Sequence, residues 1–164
     1  MDIIIENNVF KFNNKEFMCS IGKNGFTSNK VEGDGCTPNG IYKFKEVFYR
    51  EDKTKDLNFL IESKIIKKES GWCDDINSDL YNKYIEFPFA FSAEHLFRED
   101  DLYDLIYVIN YNTDPIVKNK GSAIFLHIAN PDYAPTEGCI ALKKEDLIEI
   151  SGNLKSDTRL IINT

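Results

Sequence analysis

Two side chains able to do covalent chemistry stand twelve positions apart late in this 164-residue chain. His127 ends the apolar run Ala123-Ile124-Phe125-Leu126, and Cys139 follows Gly138 and opens Ile140-Ala141-Leu142. A free thiol with a pKa of about 8.5 is only a few per cent ionised at neutral pH. A neighbouring imidazolium can supply the missing ionisation. The loop between them carries Pro131 and Pro135 and is long enough to fold His127 back against Cys139. Gly138 lacks a Cβ, so a carbonyl can approach its backbone, and the amides of Gly138 and Cys139 suit an oxyanion hole. On these residues alone a catalytic pair and two ordinary core side chains are both open.

The other candidate groups are weaker. Cys36 lies in a glycine-rich stretch with no histidine nearby in sequence, and that stretch lacks the G-x-x-x-x-G-K-[ST] pattern of a phosphate cradle. Cys73, beside Trp72, Asp74 and Asp75, offers poor metal-ligand spacing and reads as packing; Cys19 sits in an expected strand and reads as core. With no C-x-x-C pair and two histidines in all, structural zinc is not expected, and no metal or cofactor is assigned. His95 reads as a surface histidine, with a place along a cleft left open. The charged run from Glu51 to Asp56 reads as a solvated turn.

The elements that must position these groups are mostly strands. Residues 3–5, 9–12 and 16–21 are short apolar-rich runs separated by Asn7-Asn8 and Asn13-Asn14, a double hairpin signal. Residues 41–49 alternate as a strand should, residues 60–66 suggest one more, and residues 93–97 a helical turn. Residues 105–109 and 123–128 are apolar on both faces, as buried strands are. Residues 142–150 read as a short helix with Gly152 just beyond, and residues 159–162 as a closing strand. The expected fold is therefore mainly β, with one short helix and long loops, as a single domain over residues 1–164. The composition, 42% hydrophobic and 29% charged, excludes disorder, collagen and coiled coil. A formal charge of −7 argues against nucleic acid or an anionic membrane as the main partner. No run approaches a membrane span, and the acid at Asp2 does not suit a signal peptide, so a cytoplasmic, monomeric protein is the expectation.

The chain resembles the L,D-transpeptidase catalytic domain, or YkuD, family. Thr136-Glu137-Gly138-Cys139-Ile140, after a strand-end histidine, matches the family's Ser/Thr-x-Gly-Cys ending. Gly33-Asp34-Gly35-x-Thr37-Pro38-x-Gly40, Gly71-Trp72-Cys73-Asp74-Asp75, Tyr103-Asp104, the segment from Gly121 to His127 and Pro135-Thr136-Glu137-Gly138-Cys139 are similar to a branch of small proteobacterial members. The resemblance implies a β-sandwich-like fold and a peptidoglycan L,D-transpeptidase. Cys139 would be the nucleophile, His127 the general base and acid, Gly138 an oxyanion-hole amide, and Thr136, Glu137 and Tyr133 substrate contacts. A cysteine thioester would carry the acyl group of one peptidoglycan stem peptide to an amine of a second. Its alternatives are an L,D-carboxypeptidase that hydrolyses the thioester, or a non-catalytic peptidoglycan-binding module. The family role would place the protein in the periplasm. A backbone carbonyl is expected to orient His127. Three positions depart from the family pattern: Ile128, Glu137, and Ala141 in place of an arginine, for which Arg98 and Lys30 are candidate substitutes. A Glu137 carboxylate about 6 Å from the sulfur would oppose its ionisation by up to ~3 kcal/mol at an effective dielectric of 20. The Glu137 side chain is therefore expected to point away, or toward a cationic amine.

Overall fold

The structure, a computed structural model, describes residues 1–163. The first three strands, β1 (Asp2–Glu6), β2 (Val9–Phe12) and β3 (Lys15–Ser20), form the expected meander. Its turns put Asn7, Asn13 and Asn14 at φ of 52°, 52° and 61°, the left-handed region that asparagine tolerates best after glycine. Alternation then buries Ile3, Ile5, Phe10 and Phe12 on one side.

Two short strands, β4 (Phe26–Thr27) and β5 (Thr37–Pro38), pair with each other alone, and the ten-residue β6 (Gly40–Tyr49) follows. Next come β7 (Ser63–Ile65), β8 (Ser70–Cys73), β9 (Tyr84–Glu86), β10 (Ala93–His95), β11 (Leu105–Ile109), β12 (Phe125–Ile128) and β13 (Ile140–Leu142). Among the described residues, one helix, α1 (Lys144–Ser151), and the strand β14 (Arg159–Ile162) follow.

The main sheet runs β11-β12-β13-β3-β2-β1-β14-β6-β7, and β6 pairs with β11 as well, so the sheet closes on itself with β7 outside the ring. Strand β6 makes this possible by its length. Residues 40–43 pair with β14, whereas residues 44–49 pair with β11. Strand β3 turns the other corner, pairing with β2 through Lys15–Met18 and with β13 through Cys19 and Ser20. The sandwich-like arrangement expected from the sequence is thus a closed, barrel-like sheet, because two strands each belong to both halves. A separate three-stranded sheet, β10-β8-β9, packs outside it.

Strand β11 is buried on both faces for this reason. Leu105, Tyr107 and Ile109 point into the ring with Leu126, Ile128, Ile140 and Leu142. Ile106 and Val108 point outward into a second cluster with Phe48, Trp72, Leu96, Tyr103, Phe125 and Cys139. Trp72 of β8 meets the rings of Phe48 and Phe125 edge-on, at centroid distances of 6.1 and 5.2 Å.

Several local expectations change. Residues 93–97 were expected as a helical turn, but residues 93–95 form β10, because pairing with β8 outweighs the propensity of Ala and Glu. Of residues 60–66 only Ser63–Ile65 is strand, and the run at 123–128 becomes strand only from Phe125. The helix starts at Lys144 because Leu142 is spent in β13, and Gly152 ends it at φ −67°, without using the freedom of a glycine.

Candidate active site

Strands β12 and β13 run parallel, with Leu126 opposite Ile140 and His127 opposite Ala141. Leu126, Ile128, Ile140 and Leu142 fill the ring, so period-2 alternation turns Phe125, His127, Cys139 and Ala141 to the outer face. The same register carried one step back sets Phe125 beside Cys139, and the Phe125 N–H indeed meets Sγ at 3.4 Å. His127 lies diagonally one repeat further on. Both residues are buried, retaining 7% and 9% of their surface, and both open on one cleft of about 450 Å³.

The expected backbone acceptor for the histidine is that of its own neighbour. His127 Nδ1 lies 2.8 Å from the Ile128 carbonyl oxygen. A carbonyl can only accept, so Nδ1 carries the proton and Nε2 keeps the lone pair. The Tyr103 ring stands edge-on to the imidazole at 5.2 Å. Cys139 Sγ donates to the Ala123 carbonyl at 3.1 Å.

The glycine-rich stretch proves to be the floor of the cysteine loop. Thr37 Oγ1 donates to the Gly138 carbonyl at 2.9 Å and accepts the Gly22 N–H at 2.9 Å. The Lys23 N–H donates to the Thr136 carbonyl and the Thr136 N–H to that of Ile21. Gly138 has φ +144°, and a Cβ there would stand 2.7 Å from the Cys36 carbonyl oxygen. The carbonyl that needs the missing side chain is thus, in this structure, the chain's own. The Gly138 N–H donates to Thr136 Oγ1 at 3.1 Å, and that hydroxyl donates to the Cys139 carbonyl.

Burial sets the electrostatics. It pushes the Cys139 thiol up to about 12, with the Glu94 carboxylate adding to the shift and the Phe125 N–H and Lys30 opposing it. It holds His127 down to about 4, against the Ile128 and Leu102 carbonyls, which favour the imidazolium; the Arg98 charge assists the lowering. The resting site therefore holds a neutral thiol and a neutral imidazole. The sequence-based expectation of help from a standing imidazolium is corrected, because desolvation outweighs the attraction such a pair would gain.

Thr136 and Glu137 line the cleft with Gly138 and Cys139. The Glu137 side chain, 77% exposed, pairs with Lys23 at 2.9 Å, which resolves its orientation. Tyr133, at φ +54°, does not line the cleft; it lies near the Lys143 backbone and the acids Glu145 and Asp146 at the start of α1. Both candidate cations reach the cleft. Lys30 is buried against Asp34, and Arg98 holds Asp100 through Nε at 2.8 Å and Nη2 at 2.6 Å, its guanidinium over the Tyr103 ring. His95 is exposed and stacks on Phe87 at 3.8 Å, away from the cleft. Cys19 and Cys73 are buried and Cys36 half-buried.

Sequence reasoning missed Glu32 and Glu94 as cleft residues and gave Asp74 no place there. Burial raises the Glu94 carboxyl above the usual range, while the hydroxyl of Tyr103, bonded to it, pulls the other way. No local signal marks Glu94, because the pairing of β10 with β8 brings it in.

A closed β ring thus brings an imidazole on β12 and a thiol just ahead of β13 to one cleft. Residues 3–162 match the family model of YkuD, the L,D-transpeptidase catalytic domain, and the chain belongs to that family, which acts on peptidoglycan. No curated protein matches the chain. Among solved structures it is similar to Bdellovibrio bacteriovorus Bd1075, at 17% identity and a TM-score of 0.48 over 98% of this chain. The chain spans 46% of the length of that one. Among the described residues no helix is long and apolar enough to cross a membrane.

Proposed function

We propose that the chain is a peptidoglycan L,D-transpeptidase working through a thioester on Cys139. The observation that carries this is the placement of His127 on β12 and of Cys139 immediately before the parallel strand β13, both facing one cleft. Sγ attacks the carbonyl carbon of the diaminopimelate at position three of a tetrapeptide stem while its proton passes to His127 Nε2. Because both groups are neutral at rest, proton transfer accompanies attack. The Ile128 and Leu102 carbonyls stabilise the imidazolium as it forms.

The amides of Gly138 and Cys139 receive the oxyanion, and the Gly138 N–H exchanges the Thr136 hydroxyl for it. The C–N bond breaks, His127 returns the proton to the departing D-alanine amine, and the thioester remains. An amine of a second stem then attacks the thioester carbonyl and gives a proton to His127. The C–S bond breaks, and the leaving sulfur takes that proton back.

Glu32, Asp74 and Glu94 face the cleft with no cationic partner within 4.0 Å among the described residues. Such a wall favours an amine acceptor, which arrives as a cation, over water; one of its carboxylates takes the ammonium's extra proton, so that the free amine attacks. Thr136 and Glu137, on the rim, are the proposed stem contacts.

Intact-protein mass after incubation with a carbapenem tests the thioester. We expect a covalent adduct on the native protein and none on Cys139→Ala. An unmodified native protein would favour the non-catalytic binding module. Release of D-alanine from a tetrapeptide without cross-linking would favour the carboxypeptidase.

A further inference from the structure

The motif around Trp72 and the strained residue before β12 are unused by the mechanism above, and they meet at one atom. Asn82 Oδ1 accepts the Trp72 indole N–H at 2.9 Å and the Ala123 backbone N–H at 3.0 Å. Both donors are N–H groups, and Asn82 Nδ2 donates to the Asn112 carbonyl at 2.7 Å, so the amide can be placed only one way round. Asn82 is itself buried and sits at φ +56°.

Ala123 has φ +53°, a conformation that alanine rarely adopts unless its surroundings enforce it. The residues before it are held as well: the Gly121 N–H donates to the Tyr81 hydroxyl at 3.0 Å, and Ser122 Oγ donates to Glu32 at 3.1 Å. The Ala123 carbonyl, aimed by this clamp, is the acceptor of the Cys139 thiol.

We propose that Asn82 is a positioning residue for the nucleophile: by fixing Ala123 in its left-handed conformation it aims the carbonyl that holds the Cys139 thiol in place beside Phe125. The proposal rests on Cys139 being the nucleophile. A carbonyl bonded to S–H favours the thiol over the thiolate, so the clamp keeps the sulfur protonated and oriented until a base draws the proton away. The other titratable groups about the sulfur are Glu94 from β10, Lys30 from the glycine-rich stretch, Tyr103 ahead of β11, and His127 on β12. None of these bonds Asn82.

The test is the pH profile of Cys139 alkylation by iodoacetamide, read by peptide mass, with carbapenem acylation measured in parallel. Asn82→Gly tolerates the backbone angle and removes the acceptor. Asn82→Asp keeps an acceptor oxygen. In Asn82→Gly we expect Cys139 alkylation at pH 8 to rise about fivefold and its profile to move to lower pH, while acylation slows at least about tenfold. Cys19 and Cys73 are buried and should stay unlabelled. In Asn82→Asp, which keeps the acceptor for the Ala123 N–H but loses the donor to Asn112, the Cys139 profile should not move to lower pH.

An unmoved profile in Asn82→Gly overturns the proposal. So does parallel labelling of Cys19 and Cys73, which would give Asn82 a role in the fold alone, and so does an Asn82→Asp profile shifted like that of Asn82→Gly. Alkylation needs no turnover. A native protein inert to carbapenem yet showing the expected profile shift would therefore defeat the transpeptidase reading and leave the clamp standing.

Discussion

At the scale of single residues, Gly138 carries the sharpest consequence. Its φ of +144° and the 2.7 Å approach of a virtual Cβ to the Cys36 carbonyl are two independent reasons for a glycine. The clash is with backbone, which cannot swing aside as a side chain can. Gly138→Ala should cost about 3 kcal/mol, combining backbone strain with overpacking, seen as a lower urea midpoint at unchanged slope. That Cys139, His127 and Gly138 share one cleft was legible because they fall in one short stretch of the chain. Glu94, Glu32 and Asn82 were not, since each reaches the cleft or its support through pairings between distant segments. Tyr133 lies outside the cleft lining with a left-handed backbone, and nothing in a tyrosine announces that.

Among the elements, the stretch from Gly22 to Gly40 is informative in hindsight. Its glycines signalled tight turns, and that much holds, since Gly25, Gly33 and Gly35 have φ of 78°, 77° and 68°. What the sequence did not disclose is that this stretch lies under the cysteine loop and hydrogen-bonds it through Lys23 and Thr37. Thr37 is fully buried and uses its hydroxyl as donor and acceptor at once. Thr37→Val keeps the shape but strands the Gly22 N–H and the Gly138 carbonyl. It should lose about 2 kcal/mol in denaturant titration and slow carbapenem acylation, because the loop that presents Cys139 loses its floor. The meander was legible for the opposite reason: Asn7-Asn8 and Asn13-Asn14 are local signals, and hairpins are local structures. Residues 93–95 were misread because β10 is specified by its partner β8 rather than by its own residues.

For the molecule as a whole, the buried imidazole links stability to pH. His127 sits at about 4 when folded, against 6.5 for the ordinary group. Between these values the unfolded chain binds a proton that the folded one refuses, so stability is full above pH 6.5 and is lost as pH falls toward 4. From pH 7.5 to pH 5 the loss from this residue is about 2 kcal/mol. Glu94, whose folded carboxyl is raised, works in the reverse direction and is common to the native protein and to His127→Gln. Urea unfolding at the two pH values should therefore show the native protein losing about 2 kcal/mol more than His127→Gln; equal losses would place the imidazole in water rather than among apolar neighbours. A strand-rich protein with one short helix was legible from periodicity and turn residues, whereas closure of the sheet was not, because it depends on β6 and β3 each serving two partners along their length. That closure also has a temporal side. Strand β14, near the end of the described chain, slots between β1 and β6, which are made long before it. Until the ribosome has released residues 159–162 the two earlier strands face each other across a gap, with unpaired amides and carbonyls, so the ring cannot seal before β14 is made.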